Sequence, residues 1–324
     1  MRAWQVERLG EPIEVMSLRE VEVPSIGPDE VLVKARAIAI NFPDVLLARG
    51  EYQVKPDLPF TPGLELCGEI VEVGANVSHL TVGQRVIASR IGLLAEFSVL
   101  DARLVFPAPA ALTDEEASAL FIGHQTGYFG LHRRARLQAG ETLLVHAAAG
   151  GVGTAAVQLG KAAGARVIGV VGSAAKIEVA KRAGADHVID RSADDFVAVV
   201  NDLTAGGGAD VVYDPVGGEV FERSTKCIAF EGRIIVVGFA SGAIGVARAN
   251  HALVKNYGIL GLHWGLYATK APQFVVEAHS ELTRMADAGT VKPIIGEVLP
   301  FEQAPTAIQR LSEGSTIGRL VVTI

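Results

Sequence analysis

The feature that most constrains this chain is the stretch Leu143–Gly160, which reads LLVHAAAGGVGTAAVQLG. An apolar strand runs into a glycine-rich turn and then directly into an amphipathic helix, the order required by the dinucleotide fingerprint G-x-G-x-x-G. Gly150 and Gly153 stand at the last two glycine positions, and Ala148 stands at the first. A helix N-terminus at this point offers free N–H groups to phosphates. The predicted pyrophosphate loop is Gly150, Gly151, Val152 and Gly153.

The residues around this turn alternate regularly between strand and helix periodicity. The predicted strands are Thr142–Ala147, Arg166–Val171, His187–Ile189, Asp210–Tyr213 and Arg233–Val237. The predicted helices are Val152–Ala163, Ala174–Ala183 and Asp195–Leu203, with one more before the last strand. Strands that alternate with crossover helices form a parallel sheet, so the sequence predicts an α/β fold with a doubly wound sheet of the Rossmann type.

The first third of the chain has the two-residue period of strands instead. The predicted strands there are Leu18–Val23, Val31–Ile40, Gly68–Val73, Arg85–Ala88 and Ala95–Leu100. They predict an antiparallel, partly closed β-domain. A helix is expected over Asp114–His132, with Thr113 as its N-cap and Glu116 three residues later.

The end of the chain is expected to return to the β-domain. A helix over Pro272–Ala288 and a final strand over Arg319–Ile324 follow a region of looser periodicity. We therefore predict a catalytic domain formed by residues 1–118 and 260–324, interrupted by a nucleotide-binding domain over 119–259.

The net charge and the two cysteines limit which partners and which cellular compartment are expected for this protein. The 324 residues carry a formal net charge of −7, which argues against nucleic acid as a partner because phosphate binding needs a basic face. Cys67 and Cys227 do not form a CxxC pair, so a disulfide framework is not expected. The sequence instead predicts a protein of a reducing compartment. The N-terminus resembles no signal peptide and no apolar run suits a membrane span. A cytoplasmic protein that binds neither membrane nor nucleic acid is the prediction.

The end of the second predicted strand indicates which nicotinamide cofactor is bound. An enzyme that uses NADH places Asp or Glu there for the ribose 2′-hydroxyl, whereas this chain has Val171-Gly172-Ser173-Ala174-Ala175-Lys176. Gly172 leaves room for a phosphate, and Ser173 and Lys176 are able to donate hydrogen bonds to it. Arg191, just after the third strand, is a candidate second cation. The sequence favours NADPH.

Several motifs in order resemble one known family. They are Asn41–Gly50 (NFPDVLLARG), Pro59–Gly63 (PFTPG), HAAAGGVG, Tyr213–Gly218 (YDPVGG), Val236–Gly242 (VVGFASG) and Asn250–Gly265. Together they resemble the quinone oxidoreductase branch of the medium-chain dehydrogenase/reductases, of which zeta-crystallin is a member. The resemblance implies a GroES-like, partly open β-barrel as the catalytic domain, an active-site cleft between the two domains, and a homodimer. It also implies hydride transfer from NADPH to a quinone or related conjugated carbonyl.

The same superfamily contains zinc alcohol dehydrogenases, which hold zinc by a Cys, by a His in Gly-His-Glu and by a later Cys or equivalent. By resemblance, the three positions hold Asn41, Leu64 and, near the third, Ile122. Leucine and isoleucine are unable to ligate zinc, so no metal is expected. Without a Lewis acid, the acceptors expected are those that are already electrophilic, such as quinones and enones.

The resemblance also supplies candidate site residues. Asn41 is expected under the nicotinamide, in contact with the ribose or the substrate oxygen, with a turn residue as the alternative. Tyr52 stands where related enoyl-thioester reductases carry a proton-donating tyrosine, with a rim aromatic as the alternative. The remaining expected contacts to the cofactor are Thr126, Phe239, Ala240, Ser241, His263, Trp264 and Arg319.

Two other functions remain open from the sequence. The first is a reductase of enoyl thioesters or 2-alkenals, for which Tyr52 would be the acid and the basic cluster His132–Arg136 would meet acyl-CoA phosphates; a solvated helix end is the other interpretation of that cluster. The second is an NADPH-binding structural or RNA-associated protein. The acidic net charge counts against RNA.

Overall fold

The computed structural model describes residues 1–324 and divides into two compact units. We call them the β-domain (Met1–Ile122 with Thr283–Ile324) and the α/β-domain (Gly123–Leu282). Residues 260–282, expected in the first domain, belong to the α/β-domain. The reason is that the strand Gly258–Gly261 joins the parallel sheet, and the helix Pro272–Asp287 is held to the same unit near its start by the hydrogen bond from Gln125 Nε2 to the Val275 carbonyl (3.1 Å).

The elements are numbered in chain order. The strands are β1 (Arg2–Val6), β2 (Met16–Glu20), β3 (Glu30–Ala39), β4 (Glu65–Val73), β5 (Arg85–Ser89), β6 (Phe97–Asp101), β7 (Val105–Pro107), β8 (Thr142–Val145), β9 (Arg166–Val171), β10 (His187–Asp190), β11 (Ala209–Asp214), β12 (Ile228–Val236), β13 (Gly258–Gly261), β14 (Ile295–Pro300) and β15 (Arg319–Thr323). The α-helices are α1 (Pro12–Val15), α2 (Phe42–Arg49), α3 (Asp114–Ser118), α4 (Phe121–Tyr128), α5 (Gly151–Ala162), α6 (Ile177–Arg182), α7 (Phe196–Leu203), α8 (Gly218–Ser224), α9 (Ala249–Lys255), α10 (Gly265–Lys270), α11 (Pro272–Asp287) and α12 (Ala304–Ser312).

The β-domain is built on a largely antiparallel sheet. Its strand order is β14-β15-β3-β4-β5-β7, and β6 pairs with β3. Only β14 and β15 run parallel, and β1 and β2 form a separate hairpin. The alternating pattern of β3 buries Val31 and Val33 in the main core of this domain, and Ile38 joins the same core after the register shift between Ala35 and Ala37. The predicted return of the chain end is confirmed, because β15 pairs with β3.

The α/β-domain contains a six-stranded sheet in the order β10-β9-β8-β11-β12-β13, and every neighbouring pair is parallel. This is the doubly wound order of a Rossmann fold, so the predicted α/β fold class is confirmed. The strand order reverses between β8 and β11. In such sheets, ligands bind outside the carboxyl ends of the strands at this switch point.

The prediction of one continuous helix over Asp114–His132 is wrong, because the structure has separate helical segments there. Thr113 caps α3 as predicted, since its Oγ1 accepts the Glu116 N–H (3.3 Å). The helix stops at Ser118, α4 begins at Phe121, and a π-helical segment over Phe129–Arg134 follows. The physical reason is a side chain from β4. The N–H of Ile122, which would bond to Ser118 in a continuous helix, is donated to the Glu65 carboxylate instead (2.8 Å).

None of the helices combines the length and the apolar character needed to cross a lipid bilayer.

Candidate active site

The glycine-rich turn after β8 has the geometry predicted for a pyrophosphate loop. Ala147 turns the chain with a φ of +50°, and Gly150 is the N-cap of α5. A Cβ placed on Gly153 would lie 2.0 Å from the Ala147 carbonyl oxygen, so only glycine lets α5 approach its strand this closely. The first N–H groups of α5 are therefore held at the switch-point edge of the sheet, where they suit an anion.

The ends of β9 and β10 bring together the residues predicted for the 2′-phosphate. Val171 lies opposite Asp190, so Gly172 and Arg191 follow side by side. A Cβ on Gly172 would lie 3.8 Å from the Arg191 Nε, in ordinary van der Waals contact. Burial, with a contribution from the Arg191 charge, lowers the pKa of Lys176, which places the two cations within electrostatic reach of each other. This corner of the sheet presents positive charge and no carboxylate at the end of β9.

Further predicted cofactor contacts follow the neighbouring strands β12 and β13. The Ala240 N–H donates to the Pro215 carbonyl and the Ser241 N–H to the Val216 carbonyl (both 3.0 Å), which ties the loop after β12 to the loop after β11. Phe239 is 38 % exposed on this loop. His263 and Trp264 come directly after β13, while Thr126 is buried on α4 rather than at a strand end.

One residue at this edge is absent from the sequence prediction. Asp214 ends β11, is fully buried, and accepts the N–H groups of Val216 (2.8 Å) and Gly217 (3.0 Å) through Oδ1. Its Oδ2 is buried without a hydrogen-bond partner, and burial raises the pKa of this carboxyl. An acid that directly follows an apolar strand was the available signal. These hydrogen bonds hold the loop in which Gly217 lies close to the Phe239 ring.

In the β-domain, Asp44 connects two of the family motifs. One carboxylate oxygen accepts the Asn41 N–H (2.8 Å) and the other accepts the Gly63 N–H (2.9 Å). Asp44 is fully buried, and this burial raises its pKa to about 7 against the opposing effect of the two N–H donors. Its role in holding the backbone of the two loops is structural.

A second buried group joins Asn41, Glu65 and Arg319. Asn41 is 3 % exposed, and its Nδ2 donates to Glu65 Oε1 (3.0 Å). Arg319, predicted at the cofactor, has its guanidinium engaged with Glu65 and with Asn41 Oδ1 (3.0 Å). Burial raises the pKa of Glu65, opposed mainly by the Arg319 charge. The contacts of Glu65 with Asn41 and Arg319 were not predicted from the sequence. The available signal was its place in Gly63-Leu64-Glu65, the stretch that corresponds to Gly-His-Glu in zinc alcohol dehydrogenases.

The residues at the positions that ligate zinc in zinc alcohol dehydrogenases do not fit that metal in this chain. Leu64 is a buried aliphatic side chain, and the Asn41 amide is occupied by its neighbours. The Arg319 cation lies in the same cluster and would repel a second cation. Nowhere in the chain do three or more His, Cys, Asp or Glu side chains converge in a way that suits a metal ion. Zinc in proteins is held in tetrahedral geometry by about four ligands, which are side chains of these types or, at one position, water.

Tyr52 follows the end of α2, where Gly50 adopts the left-handed conformation (φ 72°) and stops the helix. The Tyr52 N–H donates to the Leu46 carbonyl (3.2 Å), which fixes the backbone at this point. The side chain is partly buried, and burial together with the nearby Asp44 charge raises its pKa. The phenol therefore stays protonated at neutral pH and is able to donate a proton.

The basic cluster His132–Arg136 is largely engaged by its own domain. The Arg133 guanidinium lies 3.3 Å from the centroid of the Phe274 ring, a cation–π contact. Arg134 Nε donates to the Gly261 carbonyl (3.2 Å). These contacts hold Arg133 and Arg134 against their own domain, which favours a helix end without a ligand over an acyl-CoA site.

Asp44 allows a prediction about stability and pH. Because its folded pKa of about 7 is above the ordinary value, its contribution to stability is complete below about pH 4 and is lost as the pH rises through 7. In Asp44→Asn, the side-chain NH₂ group faces either the Asn41 N–H or the Gly63 N–H, and two donors are unable to hydrogen-bond to each other. We expect this substitution to lower the free energy of unfolding by about 1–3 kcal/mol at pH 5, and by less at pH 8.

Denaturant unfolding of both proteins at pH 5 and pH 8 measures this difference. A cost that is equal at the two pH values, or larger at pH 8, would mean that Asp44 is already ionised in the folded protein at pH 5.

The Rossmann sheet, the fingerprint turn and the attached β-domain are typical of nucleotide-dependent oxidoreductases. Two family descriptions match the chain: "Alcohol dehydrogenase GroES-like domain" over residues 27–110 and "Zinc-binding dehydrogenase" over residues 151–280. A quinone oxidoreductase-like protein 2 homolog from Nematostella vectensis is 38 % identical and covers 99 % of this chain and 88 % of that protein.

Solved structures agree with these matches. Escherichia coli quinone oxidoreductase complexed with NADPH superimposes with a TM-score of 0.92 and 31 % identity, covering 100 % of both chains. The CurK enoyl reductase has a TM-score of 0.90 and 27 % identity, covering 99 % of this chain and 98 % of that one. The chain belongs to the medium-chain dehydrogenase/reductase superfamily, in its quinone oxidoreductase branch.

Proposed function

We propose that this protein is an NADPH-dependent reductase of quinones or related conjugated carbonyls and that it works without a metal ion. The observation that carries the proposal is the corner formed by Gly172, Lys176 and Arg191, which offers positive charge in place of an acid. It is supported by the resemblance to the quinone oxidoreductase complexed with NADPH.

The residues fit the cofactor. The N–H groups at the start of α5 suit the pyrophosphate, and the Gly153 contact holds that helix close to the turn. Ser173, Lys176 and Arg191 would meet the 2′-phosphate through charge-assisted hydrogen bonds. The residues proposed to border the nicotinamide are Thr126, Phe239, Ala240, Ser241, His263 and Trp264. When bound, NADPH supplies a hydride to the acceptor.

The metal-free chemistry follows from the aliphatic and amide side chains at the zinc positions. Without a Lewis acid, a simple alcohol is hard to deprotonate and oxidise. A quinone or enone is already electrophilic, so positioning and a hydrogen bond to its oxygen suffice. The proposed substrates are therefore activated acceptors of hydride.

A reductase of enoyl thioesters or 2-alkenals is the second candidate, favoured by the likeness to CurK enoyl reductase and by the protonated phenol of Tyr52. An enolate formed from an enone is strongly basic and needs an acid, whereas the phenolate formed from a quinone is weakly basic and takes its proton from water. We expect Tyr52→Phe to slow 2-alkenal or crotonyl-CoA reduction by roughly 10²-fold and to change quinone turnover by about twofold or less.

The test is NADPH oxidation followed spectrophotometrically for wild type and Tyr52→Phe with a quinone, a 2-alkenal and crotonyl-CoA. Wild-type turnover of the quinone that exceeds turnover of both other acceptors supports the quinone reductase. A preference for crotonyl-CoA together with the large Tyr52→Phe effect would transfer the function to the second candidate, and no turnover of any acceptor would reject both.

We also propose that the protein is a homodimer. Strand β13 is the last strand of the α/β sheet and pairs only with β12, so its outer edge is open. Near it in sequence stand four strongly exposed apolar side chains, Ile244 (75 %), Val246 (58 %), Leu253 (78 %) and Val254 (78 %). An open edge beside apolar surface is a common basis for pairing with a second copy.

We expect the double substitution Leu253→Glu, Val254→Glu to convert the dimer to a monomer, because it would bury two charges in the interface. Light scattering after size-exclusion chromatography measures the mass. Val82→Glu, on an apolar residue that is 64 % exposed in the β-domain, is the matched control. A wild type that elutes as a monomer, or a double variant that remains dimeric, would contradict the proposal.

A further inference from the structure

The side chain of Asn41 has almost no hydrogen-bonding capacity left. Its Nδ2 donates to the Ala39 carbonyl (3.1 Å) and to Glu65 Oε1 (3.0 Å), and its Oδ1 accepts from Arg319 (3.0 Å). A side-chain amide has two N–H donors and two oxygen lone pairs. Both donors are therefore used inside the β-domain, and one lone pair of Oδ1 remains.

The orientation of this amide is determined by its neighbours. If oxygen and nitrogen were exchanged, the oxygen would face the Ala39 carbonyl and the Glu65 carboxylate, and the NH₂ group would face the Arg319 cation. All three contacts would be repulsive. The assignment of an Asn side chain rests on its hydrogen-bond network, and here the network permits one orientation.

Glu65 and Arg319 are themselves held firmly. Glu65 is fully buried, and its Oε2 accepts the Ile122 N–H (2.8 Å) while its Oε1 serves Asn41 and Arg319. The Arg319 side chain is 6 % exposed and its charge is balanced by Glu65. A buried pair of this kind defines a conformation more than it adds stability. The side chain that hydrogen-bonds to both members of this pair is the Asn41 amide.

We propose that Glu65 and Arg319 are positioning residues for Asn41, which they hold so that it accepts a hydrogen bond from the bound cofactor or substrate and is unable to donate one. This inference rests on the proposed function and deepens it. Asn41 then suits a ribose hydroxyl or an amide N–H of the cofactor. It does not polarise the carbonyl oxygen of the acceptor, and that task falls to another donor.

The test exchanges the carboxylate and the amide across the Asn41–Glu65 contact. Asn41→Asp alone turns a carboxylate oxygen against Glu65, and Glu65→Gln alone turns an NH₂ group against Arg319 or Ile122. We expect each to raise the NADPH Kd and lower kcat/KM by roughly tenfold or more. In the double variant, the new amide at position 65 donates to the new carboxylate at position 41, and that carboxylate pairs with Arg319. Since the side chain at position 41 is still an acceptor, kcat and the NADPH Kd should both recover the part of the loss that the Glu65 contact caused. The Ala39 carbonyl has no donor in either protein that carries Asp at position 41, so recovery is partial.

The outcomes separate the possible roles. If Asn41 donates to the acceptor, the double variant folds but its kcat stays as low as that of Asn41→Asp, and the proposal is overturned. If the cluster only supports the fold, the single variants lower the melting temperature and leave kcat and KM of the folded protein unchanged, which also overturns it. NADPH affinity is measured without any acceptor. Failure of the wild type to reduce quinones would therefore reject the proposed function without affecting this result.

A variant with a smaller structural change covers the case in which the exchanged proteins do not fold. Arg319→Lys keeps the charge but loses the planar fork that bonds Glu65 and Asn41 together. We expect a higher KM for NADPH at an unchanged melting temperature. Arg310→Lys is the matched control, because Arg310 forms an exposed pair with Glu297 in the same domain (2.7 Å) and should behave as wild type. Identical kinetics for the two lysine variants would contradict the positioning role.

Discussion

Gly153→Ala is expected to abolish measurable NADPH binding at micromolar cofactor. The added Cβ would lie 2.0 Å from the Ala147 carbonyl oxygen and 2.9 Å from the Ala148 Cα, both backbone atoms. That turn has little freedom to move, because the Ala148 N–H donates to the Val170 carbonyl (3.0 Å) and the Gly150 N–H to the Ala147 carbonyl (2.9 Å). Helix α5 must shift away from the sheet instead, and its N–H groups leave the position that an anion requires.

The expected size of the effect is a rise in the NADPH Kd of roughly 100-fold or more, since about 1 Å of displacement at a positioning element costs that much. The fold should lose about 1–3 kcal/mol from overpacking. Gly258→Ala is the matched control in the same domain, because its Cβ would meet only the Arg233 Cβ at 3.9 Å. Fluorescence titration measures the Kd. Wild-type affinity in Gly153→Ala would show that the cofactor does not lie on this turn.

Removal of the two cations at the ends of β9 and β10 is expected to erase the preference for NADPH. Each charge-assisted hydrogen bond contributes about 1.5–3 kcal/mol, and Arg191 is exposed to solvent, which reduces its share. We expect the double variant Lys176→Ala, Arg191→Ala to lose roughly 100-fold in kcat/KM for NADPH. Its kcat/KM for NADH should change little, because NADH lacks the 2′-phosphate.

The matched control is Lys181→Ala, which removes an exposed cation one turn further along α6. Steady-state kinetics with both cofactors give the selectivity ratio. Raising the salt concentration should reduce this ratio in the wild type and in Lys181→Ala, but not in the double variant. Equal losses with NADPH and NADH would mean that the cations support the fold or the pyrophosphate rather than the 2′-phosphate.

The parts of the fold that follow from short stretches of sequence could be predicted. The turn around Gly153 and the strand–helix alternation depend on residues a few positions apart, and their periodicity records which faces are buried. The same holds for the Thr113 cap, where the partner Glu116 is three residues away. These local rules were sufficient for the Rossmann sheet.

The contacts between distant residues could not be predicted. Glu65 ends one helix and starts another by accepting the Ile122 N–H, 57 positions later, and it pairs with Arg319, 254 positions later. Periodicity contains no information about such pairs, so the sequence predicts neither the contacts of Arg319 with Glu65 and Asn41 nor the break in the helix after Thr113. The predicted end of the α/β-domain at residue 259 lies before the observed end at Leu282 for a related reason. The short strand β13 has two glycines among four residues and gives only a weak strand signal.

We propose above all that this protein recognises the extra phosphate of NADPH at Gly172, Lys176 and Arg191. Calorimetric titration of the wild-type protein with NADPH and with NADH, at one fixed salt concentration, tests this claim directly. We predict saturable binding of both cofactors with an affinity for NADPH that is higher by roughly 100-fold. Equal affinities, or tighter binding of NADH, would contradict it.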